Sequence, residues 1–138
     1  MKPKIILLVE DNPSDVDLTR RALDRSHIAN ELVVAEDGKI AVDYLASAAE
    51  LPALVLLDLN LPKVPGLEVL RRIRSAAATR RLPVVILTSS DEQVDRARGY
   101  DLGVNSYIRK PVDFQQFVDA IASLGLYWLV LNEPPPNL

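Results

Sequence analysis

Short, unbroken apolar runs recur along this chain. Most end in a polar residue, and between them lies sequence enough for one helix. Ile5-Ile6-Leu7-Leu8-Val9 runs into Glu10-Asp11, Leu54-Val55-Leu56-Leu57 into Asp58, and Val84-Val85-Ile86-Leu87 into Thr88. Val104-Asn105-Ser106-Tyr107-Ile108 runs out to Lys110-Pro111. Alternating runs mark strands with one wet face, whereas continuous ones suit parallel strands covered on both faces. The pattern predicts strands at residues 4–9, 31–35, 53–58, 83–88 and 104–108. The second is short and the fifth polar enough for a sheet edge.

Between and after the strands the apolar period lengthens to that of a helix. Residues 14–25 open with Ser14-Asp15-Val16-Asp17, which reads as a capping box. Residues 38–47 put Ile40, Ala41, Tyr44 and Leu45 on one face, and residues 66–75 do the same with Val69, Leu70 and Ile73. Residues 92–101 carry only Val94 and Ala97 as a clear apolar pair. Residues 114–124 carry Phe114, Phe117, Val118 and Ile121 behind an Asp113 cap.

Strict β–α alternation implies right-handed crossovers and helices on both faces of a parallel sheet. The prediction is an α/β, flavodoxin-like, doubly wound five-stranded sheet of order 2-1-3-4-5 with five helices. In that order the winding reverses between strands one and three, and the reversal opens a crevice at the carboxyl ends of the strands. Glu10, Asp11 and Asp58 would flank it. Residues 1–124 read as one domain, and residues 125–138 as an apolar arm with a Pro-rich end.

Composition narrows the partners. The 138 residues are 49% hydrophobic and 25% charged, ordinary for a globular chain, with a net charge of −3 and a pI near 5.1. No basic stripe is present, which argues against nucleic acid and against a membrane surface as partners. The chain has no cysteine, which excludes thiolate metal sites and agrees with a reducing compartment. The apolar stretch at 5–9 is too short for a secretory segment, and no stretch approaches a membrane span. A cytoplasmic protein is expected.

Each strand-end residue taken singly has an ordinary explanation: an acid as a turn or helix cap, a threonine as a strand former, a lysine as a solvated loop residue. Their joint placement is what points to chemistry. Carboxylates converging across one crevice repel unless a cation lies between them. Oxygen ligands without His or Cys suit a hard ion such as Mg²⁺, for which Mn²⁺ could substitute. Asp58, on the middle strand, is then placed to attack a phosphoryl group, with Lys110 and Thr88 to receive the transferred oxygens.

The segments LLVEDNPSD, LVLLDLNLPKVPGLEVL, PVVILTSS and LGVNSYIRKPVD together resemble the receiver domain of bacterial two-component response regulators. The resemblance covers residues 4 to about 124. DLNLPK, YDLGVNSYI and Tyr127-Trp128-Leu129 make the single-domain regulators partnered with phytochrome-type sensor kinases the most similar group.

The resemblance implies a residue-by-residue assignment. Asp58 matches the phosphoacceptor, and Glu10 and Asp11 the acidic pair of the metal site. Asn60 matches the residue lending a backbone carbonyl to the metal. Thr88 matches the switch hydroxyl, Tyr107 the switch aromatic, and Lys110 the phosphate-contacting lysine. Lys110–Pro111 matches a bond usually cis in receivers. Gly66 matches the loop glycine, and Ser89 and Ser90 lie where dephosphorylation is tuned. A sensor histidine kinase is the implied partner, and phosphoryl-driven movement of Thr88 and Tyr107 the implied switch.

Three function classes remain open on these residues: a phosphoacceptor signalling protein, a Mg²⁺-dependent phosphatase with an Asp nucleophile, and a receiver-like binding module that is not phosphorylated. The phosphatase reading expects a second acid two residues after the nucleophile, where this chain has Asn60. The intact set of Glu10, Asp11, Asp58, Thr88 and Lys110 speaks against the third. His27, the only histidine, receives no role. The arm around Leu126, Tyr127, Trp128 and Leu129, or the neighbouring face of the fourth and fifth predicted helices, is expected to pack on a second copy, giving a homodimer.

Overall fold

The computed structural model describes residues 4–26, 30–88, 100–109 and 114–125. Its elements run β1 (Lys4–Val9), α1 (Pro13–Ser26), β2 (Asn30–Ala35), α2 (Gly38–Ser47), β3 (Leu54–Leu57), α3 (Gly66–Ser75), β4 (Val84–Thr88), β5 (Ser106–Arg109) and α4 (Phe114–Gly125). All strand pairs are parallel, in the order β2-β1-β3-β4-β5. The doubly wound sheet expected from the sequence is therefore present, with its winding reversed between β1 and β3. Four helices of this length lie among the described residues. The helix expected over 92–101 falls mostly outside them.

Strand parity sorts the core into two layers. Leu7, Val9, Val55, Leu57, Val84 and Ile86 face one side and pack with Ala41 and Leu45 of α2 and with Val69, Leu70 and Ile73 of α3. Ile6, Leu8, Leu54, Leu56, Val85 and Leu87 face the other, against Ala22 and Leu23 of α1 and Phe117, Val118 and Ile121 of α4. Period-two alternation on strands covered on both sides makes every residue of the central strands apolar, which is the unbroken run seen in the sequence. Full burial of one such leucine is worth about 1.5–3 kcal/mol.

Three local expectations are corrected. Helix α1 starts at Pro13, and Asn12 caps it: Asn12 Oδ1 accepts from the Ser14 amide at 2.9 Å and the Asp15 amide at 3.4 Å. Pro13 needs no amide partner at the first helical position, so the cap sits just before it rather than at Ser14. In α2, Ala41 and Leu45 are buried and Tyr44 half-buried, but Ile40 is 46% exposed. The helix is rotated so that Ala41 rather than Ile40 meets the sheet. Strand β5 begins at Ser106 instead of 104. Asn105 ends the preceding loop by bracketing Val84: its amide donates to the Val84 carbonyl at 2.8 Å, and its Oδ1 accepts from the Val84 amide at 2.9 Å.

A candidate metal and phosphoryl site

The register between β1 and β3 builds the site. Val9 and Leu57 are partners, and the ladder continues one step as the Asp58 amide donates to the Val9 carbonyl at 3.0 Å. On the other side of β1, the Glu10 amide donates to the Ala35 carbonyl at 3.0 Å. Glu10 and Asp58 thus leave adjacent central strands side by side at the winding reversal. Both are buried, while Asp11 is exposed beside them. One carboxylate oxygen from each of Glu10, Asp11 and Asp58 lies within 4.8 Å of the other two.

Backbone amides orient two of these acids. Asp58 Oδ1 accepts from the Asn60 amide at 3.1 Å, and Glu10 Oε2 accepts from the Asn12 amide at 3.4 Å. Among the described residues, no buried side-chain nitrogen or oxygen lacks a hydrogen-bond partner. The carboxylates are held, and they converge. Three acids this close, made of oxygen donors alone and partly open to water, fit a hard divalent cation that keeps some of its own waters.

The loop after β3 closes against this site from the other direction. A Cβ on Gly66 would overlap the Asp58 carbonyl oxygen and stand 2.5 Å from the Leu59 Cα, so only glycine allows the approach. The Gly66 amide donates to the Leu59 carbonyl at 3.1 Å. Within the loop the Val64 amide donates to the Pro62 carbonyl at 2.9 Å across Lys63, whose φ is 67°. That is a γ-turn of the positive-φ kind with a non-glycine residue at its centre, a rare and strained conformation.

The loop between β2 and α2 lies against that turn. Asp37 Oδ1 accepts from the Ile40 amide at 2.8 Å and caps α2, and Asp37 Oδ2 pairs with Lys63 Nζ at 3.4 Å. The Ile40 amide, with Lys63 beside it, holds the Asp37 carboxyl below the usual carboxylate range. The Gly38 amide donates to the Pro62 carbonyl at 3.4 Å, and a Cβ on Gly38 would overlap the Val64 carbonyl oxygen.

Of the residues singled out in the sequence, Glu10, Asp11 and Asp58 come together, and Asn60 binds Asp58 through its amide. Tyr107, on β5, is half-buried against the core layer of α2 and α3. Thr88 ends β4 in register with Arg109 of β5. Lys110, Pro111, Ser89, Ser90, His27, Asp113 and the arm residues Leu126, Tyr127, Trp128 and Leu129 lie outside the described residues.

Sequence reasoning passed over Asp37, Lys63 and Arg74. Asp37 carried a local signal, an acid before Gly38 at the start of a helical pattern. Arg74 carried none. Its half-buried guanidinium donates to four carbonyls: Leu102 at 3.1 Å, Arg80 at 3.3 Å, Leu82 at 2.8 Å and Gly103 at 2.7 Å. It ties the end of α3 to the approaches to both β4 and β5, and burial pulls its pKa down.

Residues 6–122 match the response regulator receiver domain. The chain belongs to that family and is a two-component response regulator protein. It is 42% identical over 137 residues, 96% of this chain and 88% of the relative, to a probable methanogenesis regulatory protein, FilR2, of Methanothrix harundinacea (strain 6Ac). Among solved structures, the phosphorylated cyanobacterial phytochrome response regulator RcpA superposes with a TM-score of 0.89 at 40% identity, covering 97% of this chain and 99% of that one. The Mn²⁺-bound form of response regulator Rcp1 superposes with a TM-score of 0.87 at 37% identity, covering 97% and 100%. Among the described residues no helix is long and apolar enough to cross a membrane.

Proposed function

We propose that this chain is a single-domain response regulator that takes a phosphoryl group on Asp58 from the phosphohistidine of a sensor kinase of the phytochrome class. The observation that carries the reading is the convergence of Glu10, Asp11 and Asp58 at the winding reversal of the sheet, with carboxylate oxygens within 4.8 Å of one another. The similarity to RcpA and Rcp1 supports the phytochrome class of kinase.

In the transfer, a carboxylate oxygen of Asp58 attacks phosphorus in line with the kinase's imidazole nitrogen. The O–P bond forms, the P–N bond breaks, and its electron pair stays on the imidazole, which takes up a proton. The Asn60 amide fixes the rotation of the attacking carboxylate. A divalent cation, Mg²⁺ or Mn²⁺, supplies charge neutralisation when bound, with Glu10, Asp11, Asp58 and the Asn60 carbonyl as its protein ligands. Lys110 receives a phosphoryl oxygen and Thr88 donates a hydroxyl hydrogen to another. Drawing Thr88 towards the phosphoryl group vacates space that Tyr107 fills, which biases a two-state element of the surface around β5. The apolar arm over 125–138 pairs two copies, and the protein works in the cytoplasm.

The experiment is an intact mass after incubation with Mg²⁺ and a small acyl phosphate. A single phosphoryl adduct that disappears in Asp58→Asn supports the reading. No adduct, or rapid turnover of many phosphomonoesters, overturns it. Light scattering of a chain lacking 125–138 tests the arm, and an unchanged mass per particle refutes it.

A further inference from the structure

We infer that the Asp37–Lys63 pair is a positioning latch for the metal and phosphoryl site, acting through the loop between β3 and α3. This rests on the cation site proposed above. Neither residue is one of the three converging carboxylates, and both act on the chain that carries them.

Three observations lead there independently. Lys63 sits at φ 67° in a γ-turn closed by the Val64 amide on the Pro62 carbonyl, a backbone state that a lysine does not hold unaided. Its ammonium pairs at 3.4 Å with a carboxylate that is itself nearly buried and fixed by capping α2. The turn is also gripped through its backbone, since the Gly38 amide donates to the same Pro62 carbonyl and Gly38 leaves room only for a hydrogen against Val64.

The consequence runs along a short path. From the gripped turn the chain reaches Gly66, whose α-carbon lies against the Asp58 carbonyl and whose amide holds the Leu59 carbonyl. From the other end of the loop the Asn60 amide holds the Asp58 carboxylate. The segment 59–66 is therefore pinned at the Asp58 end by its own amides and at the Lys63 end by α2. A ligand set is tight only when the elements carrying it are locked. Groups bonded directly to metal ligands commonly change affinity by tenfold or more, and a latch one step further out is expected to do less.

A plain electrostatic role makes the opposite prediction for one of the two residues. Removing the Asp37 charge takes a negative group away from a cation site, and removing the Lys63 charge takes a positive one away. Acting through space, Asp37→Asn would weaken cation binding and Lys63→Gln would strengthen it. A latch is broken from either side, so both variants weaken binding and the double variant is no worse than either single one. Asp37→Asn keeps an excellent helix cap, so α2 is expected to stay folded.

The test is Mn²⁺ affinity measured by electron paramagnetic resonance on the full chain, with a thermal melt of each metal-free protein as the control for folding. The expected result is a three- to tenfold loss of affinity in Asp37→Asn, in Lys63→Gln and in the double variant alike. Affinities within twofold of the parent, or a gain in Lys63→Gln, overturn the latch while leaving the cation site intact. A parent protein that binds no Mn²⁺ overturns the cation site, and the latch falls with it. If Asp37→Asn fails to fold, Lys63→Gln, an exposed side chain, decides alone on the same criterion.

Discussion

Gly66 lies so close to the backbone of Asp58 that a methyl group on residue 66 would occupy the space of the Asp58 carbonyl oxygen. The start of α3 and the end of β3 are thus in direct backbone contact beneath the site. The neighbour is main chain and cannot swing aside like a long side chain. Gly66→Ala is expected to cost about 3 kcal/mol of stability through overpacking, read from urea unfolding of the metal-free protein. A loss below about 0.5 kcal/mol would mean that the loop yields freely.

The three converging acids carry an internal cost when no cation is present. Asp11 is exposed, so its repulsion with Glu10 and Asp58 is screened and amounts to about 1 kcal/mol. Asp11→Asn should therefore raise the melting temperature in chelator and lower the cation-induced gain. In millimolar Mg²⁺ the parent, stabilised by binding, should overtake the variant. Melting curves that keep the same order with and without Mg²⁺ would contradict a shared cation site.

Arg74 answers four carbonyls with one planar group. Arg74→Met leaves those carbonyls of Arg80, Leu82, Leu102 and Gly103 without that donor and should cost about 3 kcal/mol in chemical denaturation. Arg74→Lys should recover less than half of the loss, because an ammonium cannot reproduce the fork. Full recovery by lysine would show that charge rather than geometry is the working quantity.

Acid stability gives a signed test on α3. The Arg71 side chain, with Arg72 beside it, lowers the Glu68 carboxyl from 4.5 to about 2. A carboxyl whose pKa falls on folding adds stability above its unfolded value, and that contribution is lost as pH drops through the folded value. The window here runs from about pH 4.5 down to about 2. Glu68→Gln should melt below the parent at pH 7, with the gap closing across that window. A gap independent of pH would assign the effect to packing. High salt should shrink it, since the pair is solvent-exposed.

The layers of the fold are legible in the sequence. Runs such as Leu54-Val55-Leu56-Leu57 are apolar at both parities because α2 and α3 cover one face of β3 while α1 and α4 cover the other. The acids at the ends of those runs were legible for the same reason, since burial stops where the chain turns out at the crevice. Ile40 was not legible. Its helix offers adjacent apolar positions, and only the rotation of α2 on the sheet decides which one is covered.

What the sequence by itself determined is the alternation of elements, the parallel sheet and the acids Glu10, Asp11 and Asp58 at its carboxyl edge. All of these follow from local periodicity and from where apolar runs stop. What only the tertiary structure decided is how separate loops meet: Asp37 reaching Lys63, and Arg74 reaching Leu102 across 28 positions. Such contacts leave no period in the chain. They depend on the packing of surfaces that the sequence holds far apart.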